Sequence, residues 1–361
     1  MNDVPLKINV CSETALLRMQ GEGVNTAFID CVELLKERKD VDVVINQEDH
    51  GDLMHSHTYG PYFFLRGLGY RNKKILTVHV IPDSIKGSLP WANTLMPFVK
   101  WYFKQVYSYA DVCIAISPMV EKTIRDLGVQ SKIVRLSNPL QLEKWKRTKE
   151  LRAKGRAILG LKENEFCVLG VGQLQQRKGP QDFIEIGKQI PQAQFRWIGG
   201  RPFGLMTEGI KKLNKQIDDA PANIQFAGLF PLEEMSCLYA AADLMLFLSY
   251  QENSPLAPVE AAASGIPVIY RNLEEYGLLY HNEYWKANTN EQFIDWVNQL
   301  MTNENTYSQG VKISQQLITQ FEKENIREQL MRLYKNVNEQ SQARKNQRSI
   351  FNSKQKMATV S

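Results

Sequence analysis

The sequence predicts an α/β protein made of two doubly wound domains, each with a parallel sheet. Short apolar runs alternate with amphipathic segments through most of the chain, which is typical of parallel strands joined by crossover helices. The length of 361 residues exceeds one ordinary core and suits two domains. A charged stretch with few apolar residues, 141–154, interrupts the alternation and marks the link between them.

The first domain is predicted over residues 1–150. Apolar runs predict its strands at 8–11, 41–45, 53–55, 75–79, 112–116 and 132–136. Helical spacing predicts helices at 25–39, 95–109 and 119–127. Strands and helices therefore alternate along this half, as a doubly wound domain requires.

The second domain is predicted over residues 151–305, with C-terminal helices at 306–338. Its strands are predicted at 166–171, 194–198, 223–226, 244–248 and 267–269, with a helix at 257–263. A basic flexible tail is expected at 339–361, where Glu339 is the one acidic residue among several lysines and arginines. This tail is either a frayed, solvated terminus or an arm attracted to anionic lipid.

Bulk composition narrows the class of protein. No apolar run approaches the roughly 18 residues of a membrane span, and the N-terminus lacks the pattern of a signal peptide, so a cytoplasmic location is expected. The net charge of +5 is mild, and no nucleic-acid partner is expected. Five scattered cysteines are predicted to be buried thiols of a reducing compartment: Cys11, Cys31, Cys113, Cys167 and Cys237.

Two carboxylates, Glu252 and Glu260, lie between the predicted strands 244–248 and 267–269. Glu252 falls in the loop after the first strand and Glu260 in the first turns of the following helix. Both positions face the crevice where open α/β sheets bind ligands. Acidic residues also favour helix starts for dipole reasons alone. In this strand, loop and helix context, however, the pair indicates a site for a hydroxyl-rich ligand.

A glycine-rich basic turn follows the strand 166–171. It reads GQLQQRKG over residues 172–179, and a helix begins near Pro180. A phosphate there would meet a helix N-terminus and the side chains of Arg177 and Lys178. A basic surface turn would have the same sequence, so the turn alone leaves both interpretations open.

Three histidines end two neighbouring strands. His79 closes its strand at the edge where the domains would meet, either as a site residue or as a capping residue. His55 and His57 are expected to be structural, because no third metal ligand is evident near their His-x-His spacing. The Asp40-Val41-Asp42 motif precedes its strand and so lies at the wrong edge to hold a metal-bound nucleotide. We therefore expect no metal.

The stretch 84–110 combines aromatic and basic residues and contains no acidic residue. Rings and lysines together suit a membrane interface, where rings lie at headgroup level and lysines meet anionic lipid. A core-facing helix with an aromatic stripe is the alternative, although the aromatics occur on more than one helical face. The candidates for contact with membrane or acceptor are Lys86, Trp91, Lys100, Trp101 and Lys104.

Together these motifs resemble the family-4 glycosyltransferases, retaining enzymes of the GT-B fold. The matching features are Glu252 and Glu260 at the family's spacing, the GQLQQRKG turn, the strand 223–228, Asp243, the glycines Gly21 and Gly23, His79, the segment 109–117 and Asn138. The resemblance implies two Rossmann-like domains that face each other across a cleft. It also implies C-terminal helices that return to the first domain.

The resemblance assigns roles to the charged residues. Lys178 and Arg177 would hold the donor diphosphate, and Glu260 would bind the ribose hydroxyls. Glu252 would approach the hydroxyls of the donor sugar, and His79 would border the transferring sugar from the first domain. By this resemblance the residues expected in catalysis are His79, Lys178 and Glu252.

Other donor contacts are implied for the glycine loop and the loop after the first carboxylate. Gly23 belongs to a loop that offers backbone N–H groups to the cleft; it lacks the third glycine of a dinucleotide fingerprint. The backbone from Asn253 through Ser254 to Leu256 would contact sugar and phosphates. Two positions depart from the family: Gln173 stands where an Arg is usual, and a glycine-rich stretch is replaced by Asn253-Ser254-Pro255.

The segment 79–88 and the aromatic-basic helix after it resemble the bacterial diacylglycerol glycosyltransferases. This implies a retaining, metal-independent hexosyltransferase that moves glucose or galactose from a UDP-sugar, without a further cofactor, to diacylglycerol or a monoglycosyl lipid. It would act at an anionic membrane surface, peripheral on the inner face of the cell membrane. The alternatives are a soluble glycosyltransferase for polysaccharide or protein acceptors and a non-catalytic nucleotide-sugar-binding protein.

Overall fold

The structure is a computed structural model that describes residues 4–17, 23–47, 51–58, 60–85, 94–200 and 210–358, with side chains described as far as Ser341. Two six-stranded sheets organise it, and every strand pair in them is parallel. Helices cover the sheets, and the two domains form the GT-B arrangement that the sequence predicts.

The first sheet has the strand order β2-β1-β3-β4-β5-β6. Its strands are β1 (Leu6–Cys11), β2 (Val41–Ile45), β3 (Leu53–Ser56), β4 (Lys73–Val78), β5 (Val112–Ala115) and β6 (Lys132–Arg135). Its helices are α1 (Glu13–Leu16), α2 (Gly23–Lys36), α3 (Pro61–Gly69), α4 (Met96–Ser108) and α5 (Pro118–Asp126). Every residue of β3 and β5 is buried, as expected for strands covered on both faces.

The second sheet has the order β12-β11-β10-β7-β8-β9. Its strands are β7 (Cys167–Val171), β8 (Gln194–Ile198), β9 (Ile224–Gly228), β10 (Leu244–Phe247), β11 (Val268–Arg271) and β12 (Trp285–Ala287). The helices are α6 (Leu142–Trp145), α7 (Lys149–Ile158), α8 (Pro180–Gln189), α9 (Ile210–Asp218), α10 (Met235–Ala241), α11 (Ala257–Ala263), α12 (Glu274–Leu279), α13 (Asn290–Thr302) and α14 (Glu304–Ile318). Thr148 and Thr289 cap two of them by accepting a backbone N–H.

The strand orders create one switch point in each sheet. In the first sheet β2 lies on one side of β1, and the chain then continues on the other side with β3. In the second sheet β8 and β9 lie on one side of β7, and the chain then continues on the other side with β10. Loops that leave neighbouring strands in opposite directions open a crevice at the carboxyl edge. The loops after β7 and β10 therefore meet there, although they are far apart in the sequence.

The last helix, α15 (Lys323–Ala358), returns to the first domain. Its buried Leu330 and Tyr334 join the core beneath the first sheet. Arg327 forms an ion pair with Glu37 of that domain at 2.9 Å. The predicted return is confirmed. The backbone of α15 is helical through Ala358, and the flexibility expected for the tail from 339 remains a prediction. The tail contains no Gly or Pro and is rich in Gln, Lys and Arg, which favour a helix.

The eleven strands predicted from the sequence are all present as β1 to β11, with shifts of up to two residues at their ends. Helix α3 and the three-residue strand β12 were not predicted. The linking segment is a packed structure, because Arg152 of α7 binds Asp243 at 2.8 Å and Trp145 of α6 lies in the second core. All five cysteines are buried and unpaired, as expected.

Among the described residues, no helix combines the length and the apolar character that a membrane crossing needs.

Candidate active site

The turn after β7 places Lys178 at the switch point. Residues Gln176–Lys178 form a 3₁₀ turn, and Gly179 then adopts a left-handed conformation with φ of 77° before α8 begins at Pro180. A Cβ atom at Gly179 would lie 2.6 Å from the carbonyl oxygen of Leu248. Only glycine therefore allows this turn to pack against the end of β10.

The ammonium group of Lys178 forms an ion pair with the carboxylate of Glu252, and both side chains are largely buried. Burial lowers the pKa of Lys178, against the opposing influence of the Glu252 charge. Burial also opposes ionisation of Glu252, but the charges of Lys178 and Arg177 outweigh it and hold the pKa of Glu252 below its usual value. The switch point thus contains two opposite charges that stabilise each other.

Arg177 joins the turn after β7 to the loop after β10. Its carbonyl oxygen accepts a hydrogen bond from the amide N–H of Tyr250 at 2.7 Å, and its guanidinium donates to the carbonyl oxygen of Gln251 at 3.3 Å. Nε of Arg177 is buried and has no partner among the described residues. Arg177 therefore positions the loop that carries Glu252, in addition to supplying charge.

A buried ion pair behind this loop was missed from the sequence. Arg271 of β11 donates to Asp182 of α8 at 2.9 Å and to the carbonyl oxygen of Leu248 at 2.9 Å. Tyr250 donates to the same carboxylate at 2.7 Å, and its ring centroid lies 4.0 Å from the Arg271 guanidinium. The available signal was the charge of Arg271 inside an otherwise apolar strand, because a buried Arg needs a partner.

Asn253 bridges the two domains. Its side-chain amide donates to the carbonyl oxygen of His79 at 3.0 Å and to Oγ of Ser84 at 2.9 Å. Its Oδ1 atom is buried without a partner in the described part of the chain. Ser254 is half-buried, and the buried Leu256 leads into α11. The side chain of Asn253 thus faces the first domain, a contact that the sequence did not indicate.

Glu260 lies buried in the first turn of α11. Tyr239 of α10, another residue missed from the sequence, donates its hydroxyl to Glu260 at 2.6 Å. Burial raises the pKa of Glu260 to about 7; the Tyr239 bond opposes the rise, and Asp30 of α2 adds to it. Burial raises the pKa of Asp30 to about 7 as well. Carboxyl groups from both domains therefore lie close enough to influence each other.

His79 directly follows β4 and is half-buried. Its Nε2 lies 2.9 Å from Nδ1 of His57, and the two rings stack with centroids 5.1 Å apart. Burial lowers the pKa of His79 to about 3, so the ring is neutral at physiological pH. Of the remaining predicted donor contacts, Gly23 opens α2 and Gln173 is half-buried in the turn after β7.

Cys31 of α2 supplies the third potential ligand that the sequence did not reveal beside His55 and His57. One ligand atom from each of these three buried residues lies within 4.8 Å of the others. Both ring nitrogens of His55 are already hydrogen-bonded, to Tyr334 at 2.6 Å and to Thr77 at 2.7 Å. The polar atoms of His55 are thus satisfied within the protein, and the expectation of no metal remains a prediction.

Helix α4 has both an apolar core-facing side and an exposed aromatic side. Phe103 is buried, whereas Phe98 is 62% and Trp101 56% exposed. Lys100 and Lys104 are exposed on the same helix. One face of the helix therefore faces the core, and contact of the exposed face with a membrane remains a prediction. Lys86 and Trp91, the other two candidates for membrane contact, lie outside the described residues.

Helix α3 adds to this exposed surface and was not foreseen. Its Tyr62, Leu65 and Leu68 are 46%, 62% and 60% exposed. Phe64 of α3 contacts Tyr102 of α4, with ring centroids 6.4 Å apart, so the helices are neighbours. We call these exposed side chains of α3 and α4, together with the exposed Leu95 just before α4, the outer patch; its members are Tyr62, Leu65, Leu68, Leu95, Phe98, Lys100, Trp101 and Lys104.

Solved structures share this fold. HepE of Anabaena in complex with UDP-glucose superposes with a TM-score of 0.72 over 92% of this chain and 100% of that chain, at 18% identity. Sucrose-phosphate synthase from Thermosynechococcus elongatus gives a TM-score of 0.73 over 92% of this chain and 99% of that chain, also at 18% identity. Both neighbours show the GT-B arrangement of two Rossmann-like domains.

Sequence relatives cover both domains. Glycosyltransferase Family 4 matches residues 25–144, and Glycosyl transferases group 1 matches residues 152–317. Alpha-galactosylglucosyldiacylglycerol synthase of Streptococcus pneumoniae is 34% identical over 79% of this chain and 77% of that protein. Processive diacylglycerol alpha-glucosyltransferase of Acholeplasma laidlawii is 28% identical over 66% of this chain and 72% of that protein. The chain therefore belongs to the family-4 glycosyltransferases of the GT-B fold.

Proposed function

We propose that this glycosyltransferase is a retaining hexosyltransferase that moves glucose or galactose from a UDP-sugar to diacylglycerol or a monoglycosyldiacylglycerol. The observation that carries the acceptor class is the outer patch, which joins exposed rings and leucines with two lysines on the first domain. The relatives whose names specify diacylglycerol support it. The protein would work in the cytoplasm, peripheral on the inner face of the cell membrane.

The donor proposal rests on the switch point of the second domain. Lys178 and Arg177 would hold the diphosphate beside the N-terminus of α8, where helix dipole and cations favour the same charge. Glu260 would accept hydrogen bonds from the ribose hydroxyls, and Glu252 from hydroxyls of the hexose. His79 would border the hexose from the first domain.

The proposed transfer proceeds on one face of the sugar. The acceptor hydroxyl oxygen forms a bond to the anomeric carbon while the bond from that carbon to the diphosphate oxygen breaks. The hydroxyl proton passes to the departing phosphate, so the products are an α-glycosyl lipid and UDP. Negative charge grows on the diphosphate as the bond breaks, and Lys178 with Arg177 would stabilise it. This scheme requires neither a metal nor another cofactor.

The outer patch suits an anionic bilayer. Its rings and leucines are amphipathic or apolar, and its lysines can reach phosphate headgroups while their stems lie along the apolar surface. Each lysine near such a surface contributes about 1 kcal/mol of attraction. Membrane contact through the first domain would place the lipid acceptor on the side of the cleft opposite the donor.

Vesicle sedimentation tests the acceptor proposal. The protein is mixed with phosphatidylglycerol-containing vesicles, and the bound fraction is compared with that of the variant Lys100→Ala/Lys104→Ala. We expect the double variant to bind about 30-fold more weakly, because two attractions of about 1 kcal/mol each are removed. The matched control is Lys286→Ala/Lys312→Ala, two exposed lysines of the second domain.

Product analysis completes the test. The protein is incubated with UDP-glucose or UDP-galactose and vesicles that contain diacylglycerol, and UDP release and the anomeric form of the glycolipid are measured. Transfer to polysaccharide or protein without any lipid product would favour the soluble alternative. Binding of UDP-sugars without UDP release from any acceptor would favour the non-catalytic one.

A further inference from the structure

His57 is hydrogen-bonded to His79 through one of its two ring nitrogens, and its other ring nitrogen has no partner among the described residues. Its Nδ1 is 2.9 Å from Nε2 of His79, whereas its own Nε2 is buried and has no partner among the described residues. The ring of His55 also contacts His57, with ring centroids 4.5 Å apart and the ring planes tilted by 45°. His57 thus contacts two other imidazole rings, and its hydrogen bond to His79 is the one that its side chain makes among the described residues.

Each of the two bonded rings carries one proton. Burial lowers the pKa of His57 well below the usual value and that of His79 to about 3, so both are neutral imidazoles. In a neutral imidazole one nitrogen is a donor and the other an acceptor. The bond between the two rings therefore allows two arrangements, which differ in the direction of donation.

The unpartnered Nε2 of His57 favours one of these two directions of donation. If His79 donated from Nε2, the proton of His57 would have to lie on its own Nε2, as a buried N–H without an acceptor. If His57 donates from Nδ1, its Nε2 is a bare lone pair. Orphaned buried N–H groups are rarer in proteins than under-satisfied acceptors. Donation from His57 is therefore favoured.

We infer that His57 is a positioning residue that fixes His79 as the tautomer with its proton on Nδ1, so that His79 acts toward the donor sugar only as a hydrogen-bond donor. This inference rests on the proposed function for the identity of the ligand. Nδ1 of His79 has no partner among the described residues, and His79 as a whole is half-buried.

The tautomer of His79 determines whether it can act as a base or as a hydrogen-bond donor in the cleft. The one lone pair of His79 in the plane of its ring is used by His57, so His79 is not a base for the acceptor hydroxyl. An N–H at the cleft suits a sugar oxygen instead. Asn253 holds the backbone of His79 from the second domain at 3.0 Å, so the donor position is defined from both sides.

The tautomer can be measured without any assay of transfer. The full-length protein is labelled with ¹⁵N in its five histidines, and long-range ¹H–¹⁵N correlation spectra distinguish protonated from bare ring nitrogens. The His79 signals are assigned by their loss in His79→Gln. We expect His79 and His57 each to be protonated on Nδ1. Protonation of His79 on Nε2 would overturn the inference, whatever the enzyme's substrate.

Two variants of equal size test the consequence for activity. The amide of His57→Asn can keep a donor near the former Nδ1, whereas His57→Asp offers only acceptor oxygens when ionised and would shift the proton to Nε2 of His79 or charge the ring. With UDP-hexose we expect the Asn variant to stay within about fivefold of the parent kcat, and the Asp variant to lose about 100-fold, the scale of one lost site donor. Thermal melting identifies variants that do not fold.

A merely structural role predicts a different result. Folded Asn and Asp variants would then show equal kcat values and the same His79 tautomer, and this outcome would refute the positioning role. If neither variant folds, the spectrum of the unmodified protein still decides the tautomer. Failure of the proposed hexosyl transfer would leave the spectroscopic result intact, so the two proposals can fail separately.

Discussion

Lys178 and Glu252 form a buried ion pair although they lie 74 positions apart in the sequence. They meet because β7 and β10 are neighbours in the second sheet and both loops leave its carboxyl edge. The pair supplies each residue with the counter-charge that a buried ion requires. A donor diphosphate that approached Lys178 would add a second negative partner, and Glu252 would then be free to accept sugar hydroxyls.

Replacing Lys178 with Ala tests this arrangement. We expect kcat for UDP release to fall by about 100- to 1,000-fold, because the diphosphate loses a preorganised cation and Glu252 is left as a buried, less compensated charge. The matched control is Lys188→Ala, a partly exposed lysine of α8 that pairs with Glu185 at 3.0 Å. Unchanged turnover of the folded Lys178→Ala protein would remove Lys178 from the proposed site.

Glu260 gives a prediction for pH dependence. In the unfolded chain a Glu has a pKa near 4.3, and in the folded protein burial raises that of Glu260 to about 7. Between these values the folded protein holds a proton that the unfolded chain has lost. Raising the pH from 5 to 8 therefore lowers the free energy of unfolding through this group.

Glu260→Gln removes that penalty. We expect the variant to be more stable than the parent by about 2 to 4 kcal/mol at pH 8 and by at most about 1 kcal/mol at pH 5, as measured by urea unfolding. It should also bind UDP at least about tenfold more weakly by calorimetry, because a neutral amide is a poorer acceptor for two ribose hydroxyls. Glu233→Gln, at an exposed position, serves as control. A variant that is less stable at pH 8 would contradict the assignment.

The sequence was most informative where the signal is local. Glu252 and Glu260 were placed correctly in a loop and on a helix, because strand, loop and helix follow one another within 25 residues or so. The helix at 257–263 agrees with α11 residue by residue. His79 was placed at its strand end to within one position, since β4 ends at Val78.

Contacts that depend on strand order were not predictable. No local pattern links Tyr239 to Glu260 or Asn253 to His79, because these contacts arise from packing between elements distant in the chain. Helix α3 was missed because aromatic residues and glycines dominate its nine residues, and these have poor helix propensity. Tertiary packing of Phe63 stabilises the helix instead.

Arg271→Ala tests the ion pair behind the Glu252 loop. The change removes the cationic partner of Asp182, a hydrogen bond to the carbonyl oxygen of Leu248 and the contact with the ring of Tyr250. We expect a loss of about 2 to 4 kcal/mol in the free energy of unfolding, because Asp182 is left with an uncompensated, mostly buried charge.

The control for this prediction is Arg125→Ala. Arg125 also pairs with a carboxylate, that of Glu121 at 2.8 Å, but its side chain is 61% exposed. A surface pair of this kind contributes less than about 1 kcal/mol. Equal losses in the two variants, measured by urea unfolding at one pH, would show that the Arg271 pair contributes no more than an ordinary surface pair.

Asn253 provides a test of the bridge between the domains. Asn253→Ala removes two hydrogen bonds to the first domain, to His79 and Ser84. At about 0.5 to 1.5 kcal/mol each, their loss should lower kcat/KM for the donor by about tenfold if the closed cleft is the reactive one. Asn253→Asp should lose about 100-fold, because a carboxylate oxygen would face the carbonyl oxygen of His79 near the charge of Glu252.

Which of these two variants has the lower kcat/KM distinguishes a hydrogen-bonded bridge between the domains from a simple packing contact. If Asn253 only fills space, Asn253→Ala should lower kcat/KM more than Asn253→Asp, since Asp has nearly the shape of Asn. If the hydrogen bonds that Asn253 donates are needed, Asn253→Asp should lower kcat/KM more than Asn253→Ala. Asn282→Ala serves as control, because it removes a 2.7 Å bond to the carbonyl oxygen of Gln316 within the second domain. Steady-state kinetics with UDP-hexose in the presence of lipid vesicles give the comparison. If Asp retains more activity than Ala, the bond to His79 does not hold the cleft in its reactive form.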